Sequence, residues 1–165
     1  MNDEEVLTKA KELTLEFIAQ LGLDAEVTVA FVAGEVKEGR ELKYIMITLE
    51  GELLNELIGF HGKVFDSVQN ILGLVISKSL QQPDLRTLIE INDYRSKREE
   101  YLTKYARRAA EEVRMNGQSL ELPPMKPFER RIVHMVLKED AEVTTESYGE
   151  GEERRIKILP RLTAD

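Results

Sequence analysis

The chain has 165 residues, 42% hydrophobic and 33% charged, which suits one domain or two small ones and excludes wholesale disorder. It has no cysteine, which excludes disulfides and thiolate zinc sites, and no apolar stretch approaches the roughly 20 residues of a membrane span. The net charge of −8 is confined to residues 1–92, with 8 Lys and Arg against 16 Asp and Glu, whereas residues 93–165 hold 15 of each. The acidic start, Met-Asn-Asp-Glu-Glu, is unlike a secretory signal, so we expect a cytoplasmic protein.

The first predicted element is an amphipathic helix, which Asn2 or Asp3 can cap and Gly22 can end. Its apolar residues recur at helical spacing: Val6, Ala10, Leu13, Phe17 and Leu21. Alternating side chains then predict two strands, around residues 27–31 and 45–49, joined by a turn over residues 33–40.

Two helices with a glycine break between them come next. The shorter helix is predicted to bury Leu53, Leu54, Leu57 and Ile58. The longer one runs to about Leu80 and is predicted to bury Val64, Val68, Leu72, Val75 and Ile76. After a turn at Pro83 and Asp84, residues 86–91 predict a third strand, which gives the order α-β-β-α-α-β.

The second half predicts a long helix over residues 94–116, a short strand near residues 119–122 and a helix from Pro127 to about Lys138. The long helix is predicted to bury Tyr101, Leu102, Tyr105, Ala109 and Val113. Two closing strands are expected around residues 142–148 and 154–159. We therefore expect an α+β protein with two domains, residues 1–92 and 93–165.

The glycine break has a pattern suited to a sugar-phosphate backbone. Its residues are Gly59, Phe60, His61, Gly62 and Lys63. Glycines let a ligand backbone approach closely, and the helix that follows offers free N–H groups. Leu57 and Val64 stand where a nucleotide-binding P-loop needs glycine and Ser or Thr, so that motif is excluded. The sequence here resembles a type II KH domain, which clamps about four single-stranded nucleotides. The alternative is a tight turn between helices.

A second cluster lies on the helix after Pro127. Arg130 and His134 are one turn apart, Lys138 continues the row and Arg131 lies beside it. Such a strip suits phosphates, and a histidine ring can stack on a base. Residues 125–134 and their surroundings resemble a small α/β Arg-x-x-x-His (R-3-H) domain, which binds single-stranded nucleic acid. The alternative is an ordinary solvated helix face.

A basic junction, Arg95, Lys97 and Arg98, lies where the second domain begins. Glutamates are interleaved with the cations of this helix, so helical ion pairing and nucleic-acid contact remain equal alternatives.

No pattern in the sequence suggests an enzyme. The two histidines fall in separate domains, there is no cysteine, and the carboxylates show no spacing of a catalytic or metal site. We expect no catalytic residue, no metal and no cofactor.

The KH-like loop, the junction and the Arg130/His134 helix occur in an order that resembles the bacterial Jag family, also called SpoIIIJ-associated or EloR/KhpB-type RNA-binding proteins. The resemblance implies single-stranded RNA as the partner, with single-stranded DNA as an alternative. It also implies a role as an RNA chaperone or post-transcriptional regulator linked to cell elongation and wall synthesis. We expect the chain to lack the N-terminal Jag domain that many members carry.

A rival hypothesis is a protein-interaction scaffold whose acidic KH domain dimerises, with nucleic-acid binding incidental. A scaffold of this kind would form a KH-mediated homodimer, while the family resemblance implies a small single-KH protein as an alternative partner. The acidic charge and Phe60 favour the scaffold, whereas Arg130, His134 and the basic junction favour RNA.

Overall fold

A computed structural model describes residues 1–162; residues 163–165, which the predicted second domain includes, lie outside the described residues. The chain divides into two compact units, Met1–Arg95 and Ser96–Asp165. Helices and strands occur in both units, which confirms the predicted α+β class. Within residues 1–162, no helix is both long and apolar enough to cross a membrane.

The first unit is a three-stranded sheet with two helices. Its elements are α1 (Asp3–Gln20), β1 (Glu26–Lys37), β2 (Arg40–Glu50), α2 (Lys63–Ser79) and β3 (Leu85–Ile91). The sheet order is β1-β2-β3, with β2 antiparallel to β1 and parallel to β3. Helix α1 begins with a reciprocal cap: the Asn2 side chain accepts from the Glu5 N–H, and the Glu5 carboxylate accepts from the Asn2 N–H, both at 2.8 Å.

Two predictions for the first unit are wrong in detail. The turn expected over residues 33–40 is mostly strand, because the hairpin closes on two residues, Glu38 and Gly39, whose φ angles of 51° and 76° suit the twist of the strands. The short helix is only a 3-10 turn, Leu54–Leu57, since so few residues cannot sustain α-helical hydrogen bonding. Leu53, which was expected to be buried, is 61% exposed.

The buried side of α2 also differs from the prediction. Its buried residues are Phe65, Val68, Leu72 and Ile76. Val64 and Val75 lie at the edge of that row and are 39% and 36% exposed. The helix is apolar around much of its circumference, so periodicity alone does not identify the side that packs on the sheet.

The second unit is built on a smaller sheet. Its elements are α3 (Tyr94–Asn116, which begins at the end of the first unit), β4 (Leu120–Glu121), α4 (Pro127–Leu137), β5 (Val143–Tyr148) and β6 (Arg155–Pro160). The strand order is β4-β6-β5, with both pairs antiparallel. Helix α3 buries Leu102, Ala106, Ala109, Ala110 and Val113, whereas Tyr101, expected inside, is 51% exposed.

Candidate nucleic-acid interface

The backbone of the glycine loop, which we define as residues 59–63, has a positive φ angle at both of its glycines. Gly59 has φ 70° and ψ −176°, and Gly62 is left-handed with φ 71°. A Cβ atom at Gly59 would overlap Cγ2 of Val64, because the two atoms would be closer than non-bonded carbon atoms come in proteins. His61 is left-handed as well, with φ 52°. The conformation of the loop therefore requires glycine at position 59, whatever the loop binds.

The side chains of the glycine loop point outwards. Phe60 is 79% exposed, and its ring meets the ring of His61 edge to face with centroids 4.0 Å apart. Lys63 is exposed at the first position of α2. The loop thus offers an aromatic pair and a cation at a helix N-terminus, groups that suit a base and a phosphate.

The start of α4 is fixed by Glu129, a residue to which the sequence analysis gave no role. Its side chain is 2% exposed; Oε1 accepts from Nε of Arg98 at 2.6 Å, and Oε2 accepts from the Lys126 N–H at 3.1 Å. Proline at the first helical position followed by glutamate at the third is a capping signal that the sequence does contain. The ion pair between partly buried Arg98 and buried Glu129 joins α3 to the first turn of α4.

The α4 row, which we define as Arg130, His134 and Lys138, runs along one side of α4. Nη1 of Arg130 donates to the Met125 carbonyl at 2.5 Å, and both Arg130 and His134 are half-buried. Lys138 and the neighbouring Arg131 are exposed. Two residues of the α4 row are therefore held in place, and Lys138, like the neighbouring Arg131, is exposed to solvent.

His134 is anchored to strand β5. Its Nδ1 lies 2.5 Å from Oγ1 of Thr145, a residue that the sequence gave no reason to select because the contact spans two elements. Burial, with a further contribution from the positive charge of Arg130, lowers the pKa of His134 below its ordinary value. A lowered pKa favours the neutral ring at pH 7, and a neutral imidazole can form a hydrogen bond or stack.

The basic junction does not present three equivalent cations. Arg95 donates to Oε1 of Gln69 at 3.3 Å and lies over the Phe65 ring, 5.2 Å from its centroid. Arg98 is held by buried Glu129. Only Lys97 of the three is exposed. Arg95 and Arg98 therefore have structural contacts of their own.

A metal-binding site would need several His, Asp or Glu side chains close together. Across residues 1–162, no three His, Asp or Glu side chains lie close enough together to hold a metal ion.

The second unit matches a known family. The model of the Arg-x-x-x-His (R-3-H) domain family matches residues 100–160, which confirms the domain predicted from the sequence. This match includes most of α3, all of α4 and the three strands of the second sheet.

Three relatives, each named RNA-binding protein KhpB, match most of the chain. The protein from Clostridium symbiosum is 33% identical over 148 residues, which cover 90% of this chain and 65% of the relative. That from Lactiplantibacillus plantarum is 28% identical over 147 residues, 89% of this chain and 42% of the relative. That from Bacillus subtilis is 30% identical over 145 residues, 86% of this chain and 69% of the relative. The chain thus spans less than two thirds of the first two relatives.

Proposed function

The chain belongs to the KhpB family of RNA-binding proteins, the Jag family that its sequence resembles, and we propose that it binds single-stranded RNA through both of its units. The observation that carries this proposal is the α4 row with its neighbour Arg131: a half-buried arginine and histidine, each held by a hydrogen bond, beside two exposed cations. Family membership supplies the class of ligand. The protein acts in the cytoplasm and without a catalytic step.

The first unit acts as a type II KH domain in this proposal. Its element order and the exposed glycine loop between the 3-10 turn and α2 support the assignment. Phe60 stacks on a base and Lys63 contacts a phosphate, because an exposed ring and a cation at a helix start suit those two groups. Because the first unit is acidic overall, its contribution to RNA affinity depends on these few side chains.

In this proposal, the second unit contributes most of the positively charged side chains that contact RNA. Arg130, Arg131 and Lys138 contact phosphates, while His134 adds a hydrogen bond or a stacking surface. Since unpaired bases are needed for stacking and clamping, single strands are preferred to a duplex.

The test is a fluorescence anisotropy titration of a labelled single-stranded RNA and of the same RNA as a perfect duplex, at several salt concentrations. We expect tighter binding of the single strand and weaker binding as salt rises. Arg131→Glu and Lys63→Glu should both weaken binding, whereas the matched control Lys11→Glu, an exposed cation on α1, should not. Equal or tighter binding of the duplex would refute the proposal.

A second candidate function, association through the first unit, is supported by an exposed apolar row on α2. Its members are Val64, Ile71, Leu74 and Val75, between 36% and 59% exposed. Such a row on a helix suits a protein partner, either a second copy of this chain or a small single-KH protein.

Sedimentation equilibrium over a concentration series tests association. We expect a dimer that Leu74→Glu dissociates and that Leu21→Glu, an isolated exposed leucine at the end of α1, leaves intact. If the wild type stays monomeric, both alone and when mixed with a single-KH protein, association through the first unit is refuted, and the proposed RNA binding is unaffected.

A further inference from the structure

The contact between α4 and β5 places one hydroxyl group directly against the candidate RNA-binding histidine. Nδ1 of His134 lies 2.5 Å from Oγ1 of Thr145. Side chains alternate along β5, so buried Val143, Thr145 and Ser147 share the face towards α4, and Thr144 lies on the opposite face. The ring nitrogen that faces the protein is therefore Nδ1, and Nε2 faces away from Thr145.

We propose that Thr145 is a positioning residue: it donates to Nδ1 of His134, so that the ring carries its proton on Nε2 and offers an N–H group to a phosphate oxygen of the RNA. This inference rests on the proposed function and specifies how one residue of the α4 row recognises its ligand.

The chemistry of a neutral imidazole gives the reason. Such a ring has one N–H donor and one acceptor nitrogen, and the hydrogen bond made by one nitrogen decides the role of the other. With Nδ1 occupied as an acceptor, Nε2 is the donor that an anion requires. The opposite tautomer would direct the lone pair of Nε2 at the phosphate. Arg130, one helical turn away, supplies a positive charge to the same phosphate group.

The surroundings of His134 keep the ring neutral, so the choice of tautomer matters at pH 7. Burial and then Arg130 lower its pKa. The charged residues nearest to it along α4 are cations: Arg130, Arg131 and Lys138. Strand β5 faces α4 with the hydroxyl groups of Thr145 and Ser147, which do not titrate in this range.

The first measurement needs no RNA. Long-range proton–nitrogen NMR distinguishes the two tautomers of each histidine, and His61→Asn identifies the signals of His134 among the two histidines. We expect a protonated Nε2 in the wild type and in Thr145→Ser, and a mixture of tautomers in Thr145→Val. A proton on Nδ1 in the folded wild type overturns the inference, whatever the protein binds.

The second measurement is affinity for single-stranded RNA. Thr145→Val should weaken binding about two- to tenfold, the effect of one hydrogen bond. Thr145→Ser should restore most of the affinity, and the control Thr144→Val, on the opposite face of β5, should have no effect. As the pH falls through the pKa of His134, the difference between wild type and Thr145→Val should narrow, because a protonated ring carries hydrogen on both nitrogens.

The two measurements separate failure of this inference from failure of the proposed function. If the wild type binds RNA and the folded Thr145→Val variant binds it with the same affinity, Thr145 has no positioning role, and the proposed RNA binding remains supported. Absence of RNA binding by the wild type overturns the proposed function and the phosphate contact together, and NMR then decides the tautomer by itself.

Discussion

The glycine loop of the first unit and the α4 row of the second present their side chains in different ways. In the loop, Gly59 and Gly62 set the backbone, and Phe60 extends from it with 79% of its surface exposed. In the α4 row, the backbone is an ordinary helix, and hydrogen bonds to Met125 and Thr145 hold Arg130 and His134 in place. The first surface is organised by backbone conformation and the second by side-chain anchors, so the two are sensitive to different substitutions.

The largest expected effect is on the anchor of α4. Glu129→Ala should lower the free energy of unfolding by about 3–5 kcal/mol, because it leaves Arg98 without its buried partner and removes a helix cap. Urea denaturation measures the change. The control Glu100→Ala removes an exposed carboxylate that pairs with Lys104 at 3.1 Å, and should cost at most about 0.5 kcal/mol. Similar losses in both variants would show that the buried pair does not fix α4.

The next effect concerns the backbone of the glycine loop. Gly59→Ala should lower the free energy of unfolding by about 2–4 kcal/mol, since its φ and ψ are nearly restricted to glycine and its new Cβ would overlap Val64. Val64→Ala added to this variant should recover part of the loss by removing the overlap. If Gly59→Ala is as stable as the wild type, the loop does not depend on backbone conformation in this way.

The two surfaces should also differ in how RNA affinity responds to salt. Phe60→Ala should cost about 1–3 kcal/mol of binding free energy, the range for one stacked base, and leave the salt dependence unchanged. Arg130→Ala should weaken binding and make the slope of log affinity against log salt shallower by about 0.7, the value for one phosphate contact on a single strand. Titrations at several salt concentrations measure both quantities.

Each of these variants has a control of the same type. Leu53→Ala removes an exposed apolar side chain near the glycine loop, and Lys11→Ala removes an exposed cation on α1; neither should alter binding. An unchanged slope for Arg130→Ala would mean that Arg130 supports the fold through Met125 rather than contacting phosphate.

The smallest expected effect on stability concerns Asp140, in the loop between α4 and β5. Its carboxylate accepts hydrogen bonds from backbone N–H groups of this segment. Burial would raise the pKa of Asp140, but hydrogen bonds from the Glu142 and Val143 N–H groups, together with the charges of Arg114 and Arg161, outweigh it and lower the pKa. The stabilisation is therefore complete above the ordinary value of 3.8 and is lost as the pH falls through the lower folded value.

Asp140→Asn should cost about 1–2 kcal/mol of stability at pH 7, and the difference from the wild type should shrink below about pH 4. Urea denaturation at a series of pH values measures this. The neighbouring Glu139→Gln, an exposed carboxylate, is the control and should show no such difference. A constant difference between Asp140→Asn and the wild type across the series would exclude the carboxylate charge as its cause.

Local sequence signals predicted most of the elements and the composition of both candidate surfaces. The helix over residues 94–116 matches α3, because its apolar spacing lies within that single stretch. The pattern around Arg130 and His134 likewise predicted the domain that the family model then confirmed at residues 100–160. The exposed side of α2 was predicted wrongly at Val64 and Val75, since that helix offers more than one apolar side and the sheet selects among them.

By itself, the sequence determined the α+β class, the family and the position of Arg130 one turn from His134, because spacing along a chain fixes neighbours on a helix. Only the tertiary structure decided which of these residues are held and by what. Glu129 meets Arg98 across 31 positions, and Thr145 meets His134 across 11. Contacts of this kind depend on how separate elements pack, and packing buries a polar group only where another element supplies its partner.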